Sequence, residues 1–172
     1  MFDAETSIAA AFAAATSREL RDGLAKIEHC LAQLDERQVW WRPTPSQNSV
    51  ANLMLHLRGN VRQWIVNGAA GAADDRNRPS EFAEVGPVPK AELALQLSGT
   101  IDQAVAVINA QTATSLLESR RIQGFDTTVL TAIVESVAHF RGHCQEIVSL
   151  TRQQLGDGYH FDFVPQSQEQ GA

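Results

Sequence analysis

His139 and His143 stand four apart in a segment with helical periodicity. Each residue of an α-helix turns by about 100°, so the two imidazoles share one face, one turn apart. This is the spacing by which a single helix offers two nitrogen ligands to one metal ion. A histidine pair at this spacing is common on solvated helices, so its neighbours decide its meaning. Leu130, Ile133, Val134, Val137, Phe140, Cys144 and Val148 form one apolar arc of this helix. The opposite side, which carries the pair, also holds Ala132, Ser136, Ile147 and Leu150. A helix covered on both sides buries its histidines, and buried polar groups need partners. Coordination to one divalent ion satisfies both rings.

His56 is the natural third ligand. It lies midway along an earlier helical segment, between Asn52 and Asn60, at the edge of an apolar arc of Val50, Leu53, Met54, Leu57, Val61, Trp64 and Ile65. The strip Asn52-His56-Asn60 either borders a site or is a helix edge whose amides face water. Three neutral imidazoles leave a divalent ion with an open position, where it favours the deprotonated form of a water or a thiol. Around such an ion, Asn60 and Asn52 are candidates to contact substrate or a ligand of the metal. Glu135 precedes His139 by four residues. It is a candidate to orient that ring or to move protons, or else an ordinary helix carboxylate. Glu146 is a weaker candidate of the same kind. Cys144 points into the aliphatic arc and reads as core. His29 and His160 lack comparable surroundings, with His160 the reserve if the ion takes another ligand.

The elements that must position these residues are helical. Ala is abundant, aromatic residues make up 6% of the 172 residues, and Gly and Pro concentrate in the connections. Leu20, Leu24, Ile27, Leu31 and Leu34 stripe a first helix over about 6–36. Pro43 and Pro45 exclude helix after Trp40-Trp41, one of which should cover the end of the core. A second helix starts at Asn48 or Ser49 and ends near Asn67-Gly68. The connection to Pro89, about twenty residues, is long for a bundle and either crosses its end or forms a lid, with Glu81-Phe82 as an anchor. A third helix runs from Pro89 to about Leu117, with Leu93, Leu97, Ile101, Ala104, Val105 and Ile108 inward. An irregular stretch over 119–125 leads to a fourth helix, from Asp126-Thr127 to about Leu155. Tyr159 to Val164 reads as a strap over the bundle. The expectation is an all-α, four-helix bundle forming one domain over 1–165, with a disordered tail over 166–172.

Composition removes whole classes of partner. A formal charge of −6 and a pI near 5.3 argue against nucleic acid and against an anionic membrane surface. No apolar run reaches the length of a membrane helix. The stretch 8–15 fails as a signal segment, because Asp3 and Glu5 stand where positive charge is needed. Cys30 and Cys144 read as reduced thiols of a cytoplasmic protein.

Taken together, Trp41-Arg42-Pro43, the run Ser49 to Asn60, Trp64, and the run Glu135 to Ile147 resemble the DinB/YfiT-like superfamily of metal-binding helical bundles. The resemblance spans nearly the whole chain in helix order, and its specific part is one histidine followed by two, about eighty residues later. It implies an up-up-down-down topology with a long crossover between helices 2 and 3. It also implies a three-histidine site for nickel, zinc or a similar ion, and a homodimer. Some members of the superfamily are thiol-dependent S-transferases and others resemble hydrolases. The implied activity is a metal-dependent reaction on a small molecule, such as a low-molecular-weight thiol; a non-catalytic metal-binding or stress-related accessory role is the alternative. Where the superfamily often has Gly-Gln, this chain has Gln145-Glu146 before Ile147, so a role for either residue does not carry over.

Overall fold

The computed structural model describes residues 4–86 and 88–163. Its framework is helical. Helix α1 (Ala4–Gln33) buries Leu20, Leu24, Ile27 and Leu31, the predicted stripe. It stops short of the expected end because Asp35 caps a fresh helix, α2 (Glu36–Trp40), through a capping box with Gln38. Helix α3 (Val50–Val61) starts where expected, with Ser49 and Asn52 forming its capping box. It continues without a break into a π-helical stretch, Arg62–Ala69. A short α4 (Arg78–Ala83), capped by Asn77, interrupts the long connection. Helix α5 (Lys90–Asn109) buries every predicted inward residue from Leu93 to Ile108. It ends earlier than predicted, since Thr112 caps a separate helix, α6 (Ala113–Leu116). The expected irregular stretch is a β-hairpin, β1 (Ser119–Ile122) against β2 (Phe125–Thr128). Its two turn residues, Gln123 and Gly124, both have positive φ, as a tight two-residue turn requires. Thr128 caps α7 (Val129–Leu155), and a 3₁₀ turn follows over Gly156–Gly158.

Both α1 and α3 pack on α5 and on α7, so the four long rods close around one core. Side-chain pairs fix their directions. Arg21 of α1 meets Asp102 of α5, while Lys90 at the start of α5 reaches the carbonyl of Leu31; these two helices are antiparallel. Gly23 lies against Phe140, and Gln38 just beyond α1 accepts from Gln154, so α1 and α7 are parallel. His56 faces His139 while Asn60 faces Ser136, so α3 and α7 are antiparallel. The order is therefore up-down-down-up, which corrects the expected up-up-down-down. The reason is in the first connection: α2 and the proline segment return the chain at the same end, where α3 packs against α2. The second connection must then carry the chain the full length of the bundle so that α5 runs parallel to α3. The long crossover expected there is present.

The buried arc of α7 is rotated from the one expected. Ala132, Ser136, Ile147 and Leu150 are buried together with Ile133, Val137, Phe140 and Cys144, while Leu130 and Val134 are exposed. Trp40 packs against the core and donates from Nε1 to the Val88 carbonyl, whereas Trp41 is exposed. Beyond α7, Tyr159 is buried, and Asp162 pairs with Lys26 of α1, so the strap forms at least to Asp162, with Phe163 exposed. Val164 and the polar stretch 166–172 lie outside the described residues.

Candidate metal centre

The strip Asn52-His56-Asn60 does not face water. All three residues are buried, because α7 lies over one side of α3 and the crossover with α4 over the other. Each member has its own task. Asn52 donates from Nδ2 to the carbonyls of Glu81 and Glu84, at 3.0 and 2.8 Å. Arg42 donates to the carbonyls of Phe82 and Glu84, both at 3.0 Å. These residues hold the crossover against α3. Asn52 therefore serves α4 from behind and does not line the cavity beside the histidines. Asn60 does line it, and its Oδ1 accepts from Ser136 Oγ at 2.9 Å.

What the crossover brings is a carboxylate for His56. Glu81 Oε2 lies 3.0 Å from His56 Nδ1. With Nδ1–H donating to that oxygen, Nε2 keeps its lone pair and points away from Glu81. Glu81 in turn takes two hydrogen bonds from Arg76, Nε to Oε1 at 2.7 Å and Nη2 to Oε2 at 2.8 Å, while Nη1 of Arg76 donates to Gln63. Burial pushes the Glu81 carboxyl up, but the hydrogen bonds and charges of Arg76 and His56 outweigh it, and its pKa is lowered on balance. Gly59 leaves the necessary space: a Cβ there would run into Glu81 Oε1 and lie 2.8 Å from Arg76 Nε.

The rings of His56, His139 and His143 converge. Their centroids are 5.0, 5.1 and 4.5 Å apart pairwise, and each pair is nearly edge-on. Nε2 of His56 is 2.9 Å from Nε2 of His139. One nitrogen from each ring fits within 4.8 Å of the others, a group that could hold a metal ion. Burial, followed by the electrostatic influence of His143, His56, Arg76 and Arg78, lowers the pKa of His139 to about 4. That ring is neutral, and free to act as a ligand, at any ordinary pH. His143 is oriented from its own helix: its Nδ1 lies 2.7 Å from Glu146 Oε2.

The centre opens on a cavity of about 660 Å³, lined by His56, Asn60, Trp64, Arg76, Arg78, Gln123, Phe125, Glu135, Ser136 and His139. The π-helical stretch places Trp64 on its wall and the hairpin places Gln123 and Phe125 there. Glu135 lines it too, but among the described residues no hydrogen bond joins it to His139. The carboxylates that touch the histidines are Glu81, which the sequence marks only as an anchor, and Glu146, a weaker candidate there than Glu135. His160 is not brought to the centre. It is exposed on the strap, and its carbonyl accepts from Gln33, with His29 Nε2 2.6 Å away. Cys30 and Cys144 are buried and unbridged; burial pushes the Cys144 thiol up to about 11, as a core role requires.

No helix of the described residues is long and apolar enough to cross a membrane. No curated protein matches the chain. Solved structures share its fold, two of them as follows. One is the conserved protein of a locus from Enterococcus faecalis, with a TM-score of 0.64 and 18% identity, over 80% of this chain and 93% of that one. The other is a DinB-like protein, YjoA, from Bacillus subtilis, with a TM-score of 0.61 and 13% identity, over 88% of this chain and 99% of that one. Over residues 7–168 the sequence matches the family described as "Protein of unknown function (DUF1572)". The chain belongs to that family, and its fold is that of the DinB-like proteins, as the sequence resemblance implies.

Proposed function

We propose that His56, His139 and His143 bind one divalent metal ion, and that the protein uses it in a reaction on a small molecule held in the adjoining cavity. The observation that carries this reading is the convergence of three imidazoles from two helices, two of which, His56 and His139, line an open cavity. The donor set fits: three neutral nitrogens suit zinc, nickel or another late divalent ion better than calcium or magnesium. Glu81 and Glu146 lie at hydrogen-bond distance from Nδ1 of His56 and His143, and with the proton on Nδ1 the opposite nitrogens are left for the ion. When bound, the ion supplies Lewis acidity at an open position, which favours a thiolate or hydroxide over its protonated form.

The chain's own residues would do the rest. Trp64 and Phe125 shape the apolar walls, and Asn60, fixed by Ser136, presents its amide to the cavity. Glu135, which lines the same space, would accept a proton from the substrate. A thiol-dependent S-transferase or a hydrolase is the reaction class that these groups support. The reading extends to a homodimer in the cytoplasm with both thiols reduced. A homodimer would cover exposed Ile8, Leu117 and Leu130, which border one shallow depression.

Metal content decides the first part. Protein purified without a histidine tag from metal-replete cells is expected to carry one ion per chain, and His139→Ala to carry none. Absence of metal from the unaltered protein overturns the reading. Turnover with a low-molecular-weight thiol plus an electrophile, set against turnover with esters and amides, separates the two reaction classes. Loss of either activity in His56→Ala is expected, and a homodimer by sedimentation.

A further inference from the structure

The cavity contains a cation that the fold does not use. Arg76 and Arg78 both line it, two residues apart, yet their situations differ. Arg76 is consumed by Glu81 and Gln63. Arg78 has no carboxylate partner among the described residues; its guanidinium lies over the ring of Phe82, 4.9 Å from the centroid. Phe82 itself packs on the ring of His56, also at 4.9 Å. Phe82 is thus a spacer with His56 against it and the Arg78 guanidinium over it, which sets the charge beside the histidine cluster without touching it. The other ionised group facing the cavity is the carboxylate of Glu135, which lies on α7, across from the crossover.

We propose that Arg78 is a specificity residue that binds an acidic group on the substrate, so that the cavity takes a small molecule with a metal-binding donor at one end and a carboxylate-like anion at the other. This inference rests on the metal reading above. A divalent ion held by three neutral imidazoles keeps its full charge, and Arg78 adds another. Glu135 offsets only one of these, so the cavity remains cationic and an anion enters it favourably. A planar guanidinium with free donors suits a carboxylate in particular. The aromatic faces of Trp64 and Phe125 leave room for the short carbon chain between the two ends.

The test uses the full chain loaded with cobalt(II), whose visible spectrum changes when a thiolate enters its coordination sphere. Two probes compare like with like: 3-mercaptopropionate carries the acid, and 2-mercaptoethanol lacks it. The acid is expected to bind about tenfold more tightly, from one charge-assisted contact. In Arg78→Gln the ratio is expected to fall to about one, with cobalt content at the unaltered level, and Arg78→Lys is expected to restore part of it. Equal affinity for the two probes in the unaltered protein overturns the inference, as does an unchanged ratio in Arg78→Gln. Preference for the cationic thiol cysteamine also overturns it, and assigns the cavity's charge selection to Glu135. Failure to take up cobalt at all is distinguishable from these, because it removes the metal reading itself.

Discussion

The two sides of the histidine cluster are built by opposite strategies. His56 is only 4% exposed and is held by a network that joins two distant segments: Glu81 and Arg76 from the crossover, with Gly59 on its own helix and Gln63 in the π-helical stretch that continues it. His139 and His143 are half-buried neighbours on one helix, and the carboxylate on His143 is only three residues along. One side is fixed by tertiary structure, the other by the geometry of a single α-helix. Disturbance should therefore travel far from the first and stay local on the second.

The largest difference is expected from Glu81→Gln. Arg76 and Glu81 are nearly buried, with side chains 5% and 10% exposed. Removing one charge strands the other, a loss on the order of 3–5 kcal/mol in stability without metal. The same change removes the acceptor for His56 Nδ1–H and is expected to weaken metal binding by about 10–100-fold. Urea unfolding and competitive metal titration measure the two effects. Gly59→Ala sharpens the point, because it removes no charge and no ligand. Its methyl group displaces the Glu81 carboxylate, so a metal affinity reduced in the same direction is expected. Unaltered affinity in Gly59→Ala would show that the Glu81–His56 contact does not govern binding.

This contrast also explains what could be read without coordinates. The pair on α7 follows from a spacing of four on a periodic segment, and the inward residues of α5 follow in the same way. His56 was reachable because its flanking asparagines and the resemblance marked it. Glu81 and Arg76 were not assigned to the site, since they lie in a connection rich in Gly, Asp and Pro where no periodicity links them to His56. Their only local signal is Asn77-Arg78-Pro79, a cap followed by a first-turn proline, which announces α4 but not what it faces. Glu135 shows the limit of spacing from the other direction. Four residues is the right spacing for contact with His139, yet among the described residues no hydrogen bond joins the two and Glu135 lines the cavity, while Glu146, three residues from His143, meets that ring. The expected helix direction rested on the resemblance alone, and periodicity could not correct it: periodicity says which face is inward but is blind to which end of the bundle the next helix starts from.

A smaller effect separates the two sides by pH. The pKa of His139 falls from 6.5 to about 4 on folding, chiefly through burial. Between those values the unfolded chain binds the extra proton, so metal-free protein should lose stability as pH falls from 6.5 towards 4 and regain it above 6.5. The lowered Glu81 carboxyl adds a loss of the same sign, confined to pH below its ordinary range near 4.5. In His139→Asn the part of the slope between 6.5 and 4.5 is expected to flatten while the steeper fall below it remains. Urea midpoints taken across this range check it, and a slope between 6.5 and 4.5 that persists in the variant would assign it to another group.

The smallest effect is expected at Glu146. It contacts a histidine as closely as Glu81 does, 2.7 Å against 3.0 Å, so distance alone would rank it first. Exposure reverses the order. The side chain of Glu146 is 46% exposed and that of His143 25%, so water competes for both partners and salt screens them. No second charge is stranded when the carboxylate goes, because among the described residues nothing plays the part of Arg76 here. Glu146→Gln is therefore expected to weaken metal binding by less than about fivefold and to leave the urea midpoint unchanged. If it matched Glu81→Gln in metal affinity, ring orientation by a carboxylate would matter irrespective of burial. The network around His56 would then owe its importance to stability alone.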